Sequence, residues 1–297
     1  MVVATPFSDF IQTIGVLAAL IFVVTSMLGM GFSLTLGQII TPLRNTKLVL
    51  FCLATNFVLA PLLALIIVWV FSLTEGLAIG LLLLGTSAGS PFLPKFAKIA
   101  KGNAGFSVGL MILLVIGTII YVPIVLPLLV EVTIDPWKIA KTLIILTLLP
   151  VAVSLFIRAR YEEVAKSLIP IMAQATNLSI LVLLIAFIVI YTSDLLKIIG
   201  NRTIIAAMAF VFFCFILSYL PGRSAEDIRK VVAFGTAQRN ISTALAIATL
   251  NFTNPDVMIM IIVMEIVSFT LLMFIAGELG RRAKGSKENQ MEEEWLK

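Results

Sequence analysis

The feature that most constrains this chain is a succession of apolar runs, each long enough to cross a bilayer. Nine can be read, at approximately 14–34, 48–71, 76–94, 104–130, 139–157, 168–190, 203–220, 229–250 and 257–278. A helix needs roughly 20 predominantly apolar residues to span the hydrocarbon core. The breaks fall at turn chemistry: Pro42 to Asn45, Thr74-Glu75, Asp135-Pro136, Pro221-Gly222 and Asn254-Pro255. With 60% hydrophobic and 12% charged residues, the chain carries more apolar surface than a water-soluble fold buries. The expected fold is an all-α polytopic membrane protein with nine transmembrane helices.

Loop charge gives the orientation. Arg44 and Lys47; Lys95, Lys98 and Lys101; Arg158, Arg160 and Lys166; Arg223, Arg229 and Lys230; and the lysines and arginines from Arg281 onward all fall on odd-numbered loops or the tail. These are 16 of the 21 basic residues, against Lys138, Lys141, Lys197 and Arg202 on the even loops. Basic residues concentrate on the cytoplasmic side. This alternation predicts an outside N-terminus and a cytoplasmic C-terminus, in a plasma or inner membrane. The division expected is one transmembrane unit over residues 1–280 and a short solvated tail over 281–297. The first residues lack the basic start of a cleavable signal peptide.

Several function classes are disfavoured. The chain has no histidine, and Cys52 and Cys214 both lie in apolar runs, so neither a histidine base nor a cysteine metal cluster is available. No paired aspartates or nucleophile–base motif points to an enzyme. No phosphate-binding loop points to ATP, so no cofactor is expected. The net charge of +5 follows from topology rather than from nucleic-acid binding.

One basic residue remains, Arg239, inside the eighth run in the stretch Gly235-Thr-Ala-Gln-Arg-Asn-Ile. An arginine at the bilayer centre costs about 3 kcal/mol or more, so it normally faces a partner or a watery cavity. The stretch has an echo. "GTSAGSPFLPKFAKIAKGN" begins at Gly85 and "GTAQRNISTALAIATLNFT" at Gly235, an offset of 150 residues. One lies in the third run and the other in the eighth, so the two copies point in opposite directions. That is the footprint of an inverted repeat, approximately 14–130 and 139–280, in which paired helices break at mid-membrane around the binding site. Gly85, Gly89, Pro91 and Pro94 are suitable breakers in the first copy, and Gly235 with Gln-Arg-Asn in the second.

"GMGFSLTLGQ", "NFVLAP", "GTSAGSP…AKGNAGFSVGLM" and "FGTAQRN", in this order and spacing, resemble the bile acid:sodium symporter family. The resemblance implies a panel domain and a core domain, two broken helices crossing in the core, and an organic anion bound between the domains. It also implies that the extra N-terminal helix of ten-span members is missing here. Family members that use sodium place an acid at the opening of the second broken helix, followed by a Gln-Asn pair, and a Ser-Asn pair in the first. Matched without gaps, the acid falls on Phe234, the first pair on Gln238 and Arg239, and the second on Leu93 and Pro94. What survives is a vestigial sodium set of Asn56, Ser107 and Gln238, so no confident metal site is expected.

The expected substrate-binding residues are Asn56, Lys95, Gln238, Arg239 and Asn240, and the ion-coupling residues Ser107, Gln238, Glu265 and Lys95. Arg239 is either a fixed cation at the crossing, for the anion or in place of sodium, or a structural tie to carbonyls. Glu265, in the ninth run, either pairs with Arg239 or carries a proton. Lys95 either lies at the crossing or snorkels to head groups with Lys98 and Lys101. Asn177 and Ser179 are weaker cavity candidates. The leading function is secondary active transport of a small organic anion by alternating access, with sodium coupling doubtful. The alternatives are a proton-coupled or uniport carrier of a small carboxylate, and a transporter-fold receptor or scaffold. The expected partners are the anion and the lipid bilayer, with oligomeric state open.

Overall fold

The computed structural model describes residues 6–34, 45–130, 135–199, 202–220 and 225–295; for 6–9, 191–199 and 284–295 it describes the backbone course alone. Every element among these residues is helical. We number them α1 (Pro6–Phe32), α2 (Thr46–Phe71), α3 (Glu75–Thr86), α4 (Leu93–Ile99), α5 (Ala104–Leu129), α6 (Pro136–Arg160), α7 (Glu162–Ile199), α8 (Arg202–Tyr219), α9 (Glu226–Ala237), α10 (Ile241–Asn251) and α11 (Pro255–Trp295). Seven of them, α1, α2, α5, α6, α7, α8 and α11, are long and apolar enough to cross a membrane. The other two expected runs, the third and the eighth, are each two short helices: α3 then α4, and α9 then α10.

Local chemistry sets the helix starts. Asn45, Asn103, Asp135 and Asn240 each accept a hydrogen bond from a backbone N–H of the first turn that follows, which satisfies a donor the helix cannot. Proline shapes two interiors. In α2, Thr55–Leu59 widens into a π turn just before Pro61, and the Ala60 N–H bonds to the Thr55 carbonyl. Pro61 has no N–H, so the carbonyls of Asn56 and Phe57 lose their helical partner. The Tyr121 hydroxyl donates to the Phe57 carbonyl at 2.6 Å, and the Asn56 carbonyl faces Arg239. A second π turn, Ile144–Leu148, precedes Pro150 in α6.

The helices fall into two packing groups. α1 packs on α6 and α7, and α6 on α7. The second group packs α3 against α2 and α11, and α8 against α2, α9 and α11. α10 reaches across to α1 and α6. Lipid tails are as apolar as leucine, so these contacts depend on close packing and interhelical hydrogen bonds more than on the hydrophobic effect. Small residues permit the approach: a Cβ on Gly85 would lie 2.8 Å from the Ala64 Cβ. Between the groups the Ser26 and Ser242 hydroxyls meet at 2.8 Å.

Two boundaries differ from expectation. α6 and α7 are separated by Tyr161 alone, so the expected loop around Arg158 to Lys166 is helix on both sides. The segment after Gly280 continues α11 as one helix to Trp295 rather than ending it. The expected loops at Arg44 and Arg223, and Lys297, lie outside the described residues.

Candidate functional site

The two interrupted pairs meet at their breaks. α3 ends at Thr86, and the chain runs extended through Ser87 before α4; α9 ends at Ala237, and Gln238 to Asn240 bridge to α10. The Asn240 N–H donates to the Ser87 carbonyl at 3.0 Å, and its side-chain amide to the Gly89 carbonyl at 3.0 Å. The same side chain caps α10 by accepting from the Thr243 N–H. Gly89 sits at φ +84°, where a Cβ would lie 2.6 Å from the Val115 nitrogen, so the break can pass α5 only as glycine. Thr118 of α5 clamps the first break from behind: its hydroxyl accepts from the Ala88 N–H at 2.9 Å and donates to the Ala88 carbonyl at 3.1 Å.

Arg239 fills the crossing. Its guanidinium donates to five oxygens: Nε to Leu84 O at 2.9 Å, Nη1 to Asn56 Oδ1 at 2.8 Å and Thr236 O at 3.1 Å, and Nη2 to Gly85 O at 2.8 Å and Asn56 O at 3.4 Å. A guanidinium has five N–H groups, so all are used. The residue is 1% exposed. The acceptors have a common origin. Leu84 and Gly85 close α3, and Thr236 closes α9, so their carbonyls stand at the negative ends of two half-helices, with Leu84 O also accepting from the Ser87 N–H at 3.0 Å. Asn56 O is the carbonyl released by the π turn and Pro61. Negative helix ends and freed carbonyls are the surroundings that hold coupling cations in broken-helix transporters.

Sodium fits these residues poorly. The guanidinium occupies the oxygens a cation would need, and no carboxylate stands at the head of the second break. Phe234 lies there fully buried, stacked on Phe96 at 5.7 Å between ring centres and edge-on to Phe215 at 5.1 Å. Leu93, at the other departure, packs on Gly235. Three buried oxygens at and beside the breaks, Ser87 Oγ, Gln238 Oε1 and Thr243 Oγ1, have no hydrogen-bond partner among the described residues. They are neutral oxygens of the kind ordered water satisfies.

The expected residues thus divide. Asn56, Arg239 and Asn240 come together at the crossing, buried and bonded to one another or to the breaks. Arg239 has no N–H left for an anion, and Glu265 is not its partner. Gln238 donates instead to both Glu265 oxygens, at 3.1 and 3.0 Å. Ser107 bonds within its own helix, to the Ala104 carbonyl, as Ser179 does to Ala175. Lys95 lies off the crossing: it and Glu265 line a cavity of about 370 Å³ with Asn177, Phe22, Phe92 and Phe269. A second cavity of about 320 Å³, lined partly by Thr25, Ser26, Thr176 and Ser242, shares Phe22, Phe92 and Asn177 with the first. Both lie where α1 and α7 face the crossing pairs. Sequence reasoning missed Thr118, Tyr121 and the aromatic walls. Thr118 and Tyr121 are three residues apart in an otherwise apolar span, and that polar pairing on one helix face was the available signal.

The family model described as the sodium bile acid symporter family matches residues 19–220, more than half of the chain. The chain belongs to the sodium bile acid symporter family. It is therefore a multi-pass integral membrane protein of a transporter family, not an enzyme family. The match ends before α9, so Phe234 to Asn240 lie beyond it. The chain is also 23% identical over 235 residues to the probable sodium/metabolite cotransporter BASS1, chloroplastic, of Arabidopsis thaliana, covering 77% of this chain. It spans only 58% of that relative's length.

Proposed function

We propose that this sodium bile acid symporter family member is a secondary carrier of a small organic anion. The cavity between α1–α7 and the crossing opens alternately to the two sides, and Arg239 is a fixed positive charge where relatives couple sodium. α3–α4 and α9–α10 are each one broken span, giving nine spans in inverted repeats, with the N-terminus outside and the C-terminus cytoplasmic. Residues 1–280 form the transport unit. The observation that carries this reading is the guanidinium with all five donors on the carbonyls of two half-helix ends and a π turn. A charge held so completely neutralises the crossing permanently, so the carrier cycles without recruiting an ion there. Lys95, on the cavity wall, is left to meet the substrate's carboxylate. The family and the relative's name support transport; the chain's own substrate and coupling rest on this geometry.

A second reading, proton coupling, has its own observation: Glu265 faces the same cavity and is held by a neutral amide rather than by a cation. Alternating access is tested without knowing the substrate. In a chain with Cys52 and Cys214 replaced, Asn177→Cys on the cavity wall is challenged with a membrane-impermeant maleimide from each side of oriented vesicles. A carrier reacts from both sides, each in a fraction of molecules. Reaction from one side alone contradicts the carrier reading and favours a receptor or scaffold.

A further inference from the structure

The 370 Å³ cavity is lined by two opposite charges, Lys95 and Glu265, that make no ion pair among the described residues. Its walls are otherwise mostly apolar, with Phe22, Ile180, Ile262 and Phe269 among them and Asn177 and Thr270 the polar exceptions. The Lys95 ammonium lies 5.3 Å from the centre of the Phe269 ring, a cation–π contact, and among the described residues it makes no ion pair. The Glu265 carboxylate likewise makes none; both its oxygens take hydrogen bonds from the single Gln238 amide. The nearby intramembrane cation, Arg239, is saturated with carbonyls. Glu265 lies within the apolar span of α11, where a charge normally pairs with another charge or with backbone groups, whereas Lys95 is exposed on the cavity wall. Here an anion and a cation line one cavity without pairing to each other.

Their placement is compact. Ile262, Glu265, Ile266, Phe269 and Thr270 form the cavity-facing stripe of α11, at the 3- and 4-residue spacing of one helix face. Phe269 is one turn beyond Glu265, about 6 Å along the helix axis at the backbone, and the Lys95 ammonium lies over its ring. The remaining wall offers apolar surface, and the volume falls in the range of roughly 300–1,000 Å³ typical of small-molecule pockets.

We propose that the cavity takes a zwitterion with an apolar side chain, the chemical class of leucine: its carboxylate at Lys95, its ammonium at Glu265 and its side chain among the aromatic and aliphatic walls. The proposal rests on the carrier reading above and refines it, since the recognised anionic group belongs to a molecule that also bears a cation. Each charge on the cavity wall then meets its complement on the ligand.

The test uses the full chain purified in detergent and equilibrium binding of tritiated leucine. The competitors are isocaproate, which lacks the amine, and isoamylamine, which lacks the carboxylate. Leucine is expected to bind about tenfold or more tighter than either, the value of one charge-assisted hydrogen bond lost. Glu265→Gln, which is nearly isosteric, is expected to remove leucine's advantage over isocaproate; Lys95→Gln is expected to remove its advantage over isoamylamine. If either variant fails to fold, the three-ligand comparison on the unaltered chain still decides. Isocaproate binding as tightly as leucine, and more tightly at lower pH, would overturn the proposal in favour of an anion site with a protonated Glu265. Absence of leucine binding would overturn it as well. Labelling of Asn177→Cys from both sides would in either case leave the carrier reading intact, and labelling from one side would remove that reading separately.

Discussion

Replacing Arg239 by alanine removes the donor of five hydrogen bonds at once, to Leu84 O, Gly85 O, Thr236 O, Asn56 O and Asn56 Oδ1. Interhelical hydrogen bonds in membranes average about 0.6 kcal/mol, which sums to about 3 kcal/mol for five. A buried acceptor left without a partner costs about 1–3 kcal/mol; water entering the space holds each to the low end, or about 5 kcal/mol in all. The expected loss is therefore about 3–5 kcal/mol, a fall of roughly 6–20 °C in the apparent thermal midpoint at about 2–4 °C per kcal/mol. Arg239→Lys keeps the charge but has three N–H groups on one atom, so it restores less than half of the loss. The vacated cage is a set of oxygens, the ligands that hard cations take. Arg239→Ala should thus acquire a rise in midpoint in sodium over choline that the unaltered chain lacks, by mass action on the folded state. The assay is thermal unfolding of purified protein in the two salts at matched ionic strength. An Arg239→Ala protein within about 0.5 kcal/mol of its parent would refute the reasoning, because it would mean the five contacts hold nothing together.

Other outcomes follow from the same geometry. Gly89→Ala places a Cβ 2.6 Å from the Val115 nitrogen at positive φ, and should cost about 2–4 kcal/mol or prevent recovery of monodisperse protein in size-exclusion chromatography. Thr118→Val keeps the shape but strands the Ala88 N–H and carbonyl, for a loss of about 1–3 kcal/mol in the unfolding midpoint. Tyr121→Phe should cost about 1 kcal/mol by stranding the Phe57 carbonyl, an effect absent if the π turn in α2 is not kept. Phe234→Glu returns an acid to the head of the second break, among Phe96 and Phe215; it should destabilise by about 3–5 kcal/mol as an uncompensated buried charge and, with Arg239 in place, confer no sodium dependence of the midpoint.

The crossing was legible in the sequence because its chemistry is conspicuous in an apolar context. Arg239, Asn240 and Asn56 are polar residues in runs that otherwise exclude them, and the Gly-Thr echo at Gly85 and Gly235 marked both breaks. Their mutual contacts were not legible. Glu265 read either as a partner of Arg239 or as a proton carrier; the half-helix ends and the π turn offer enough carbonyls to saturate the guanidinium, and Gln238 takes the carboxylate. Pro61 was visible, but its release of the Asn56 and Phe57 carbonyls depends on a three-dimensional neighbour, Arg239 or Tyr121, to give it meaning. The cavity was the least legible part. Phe22, Phe92 and Phe269 look like any lipid-facing or core aromatic, since periodicity cannot tell a helix face toward lipid from one toward a cavity when both are apolar. Leu93, the first residue of α4, packs on Gly235, and Lys95, two residues on and so on the other side of the helix, lines the cavity.

The central claim is that Arg239 stands permanently where relatives would bind a coupling cation. The measurement that tests it most directly is the thermal midpoint of the unaltered chain, titrated with sodium chloride against choline chloride at constant ionic strength and pH. Equal midpoints across the titration are the expected result. A saturable rise specific to sodium would contradict the claim, since it would require a working sodium site beside a guanidinium that already holds the oxygens of the crossing.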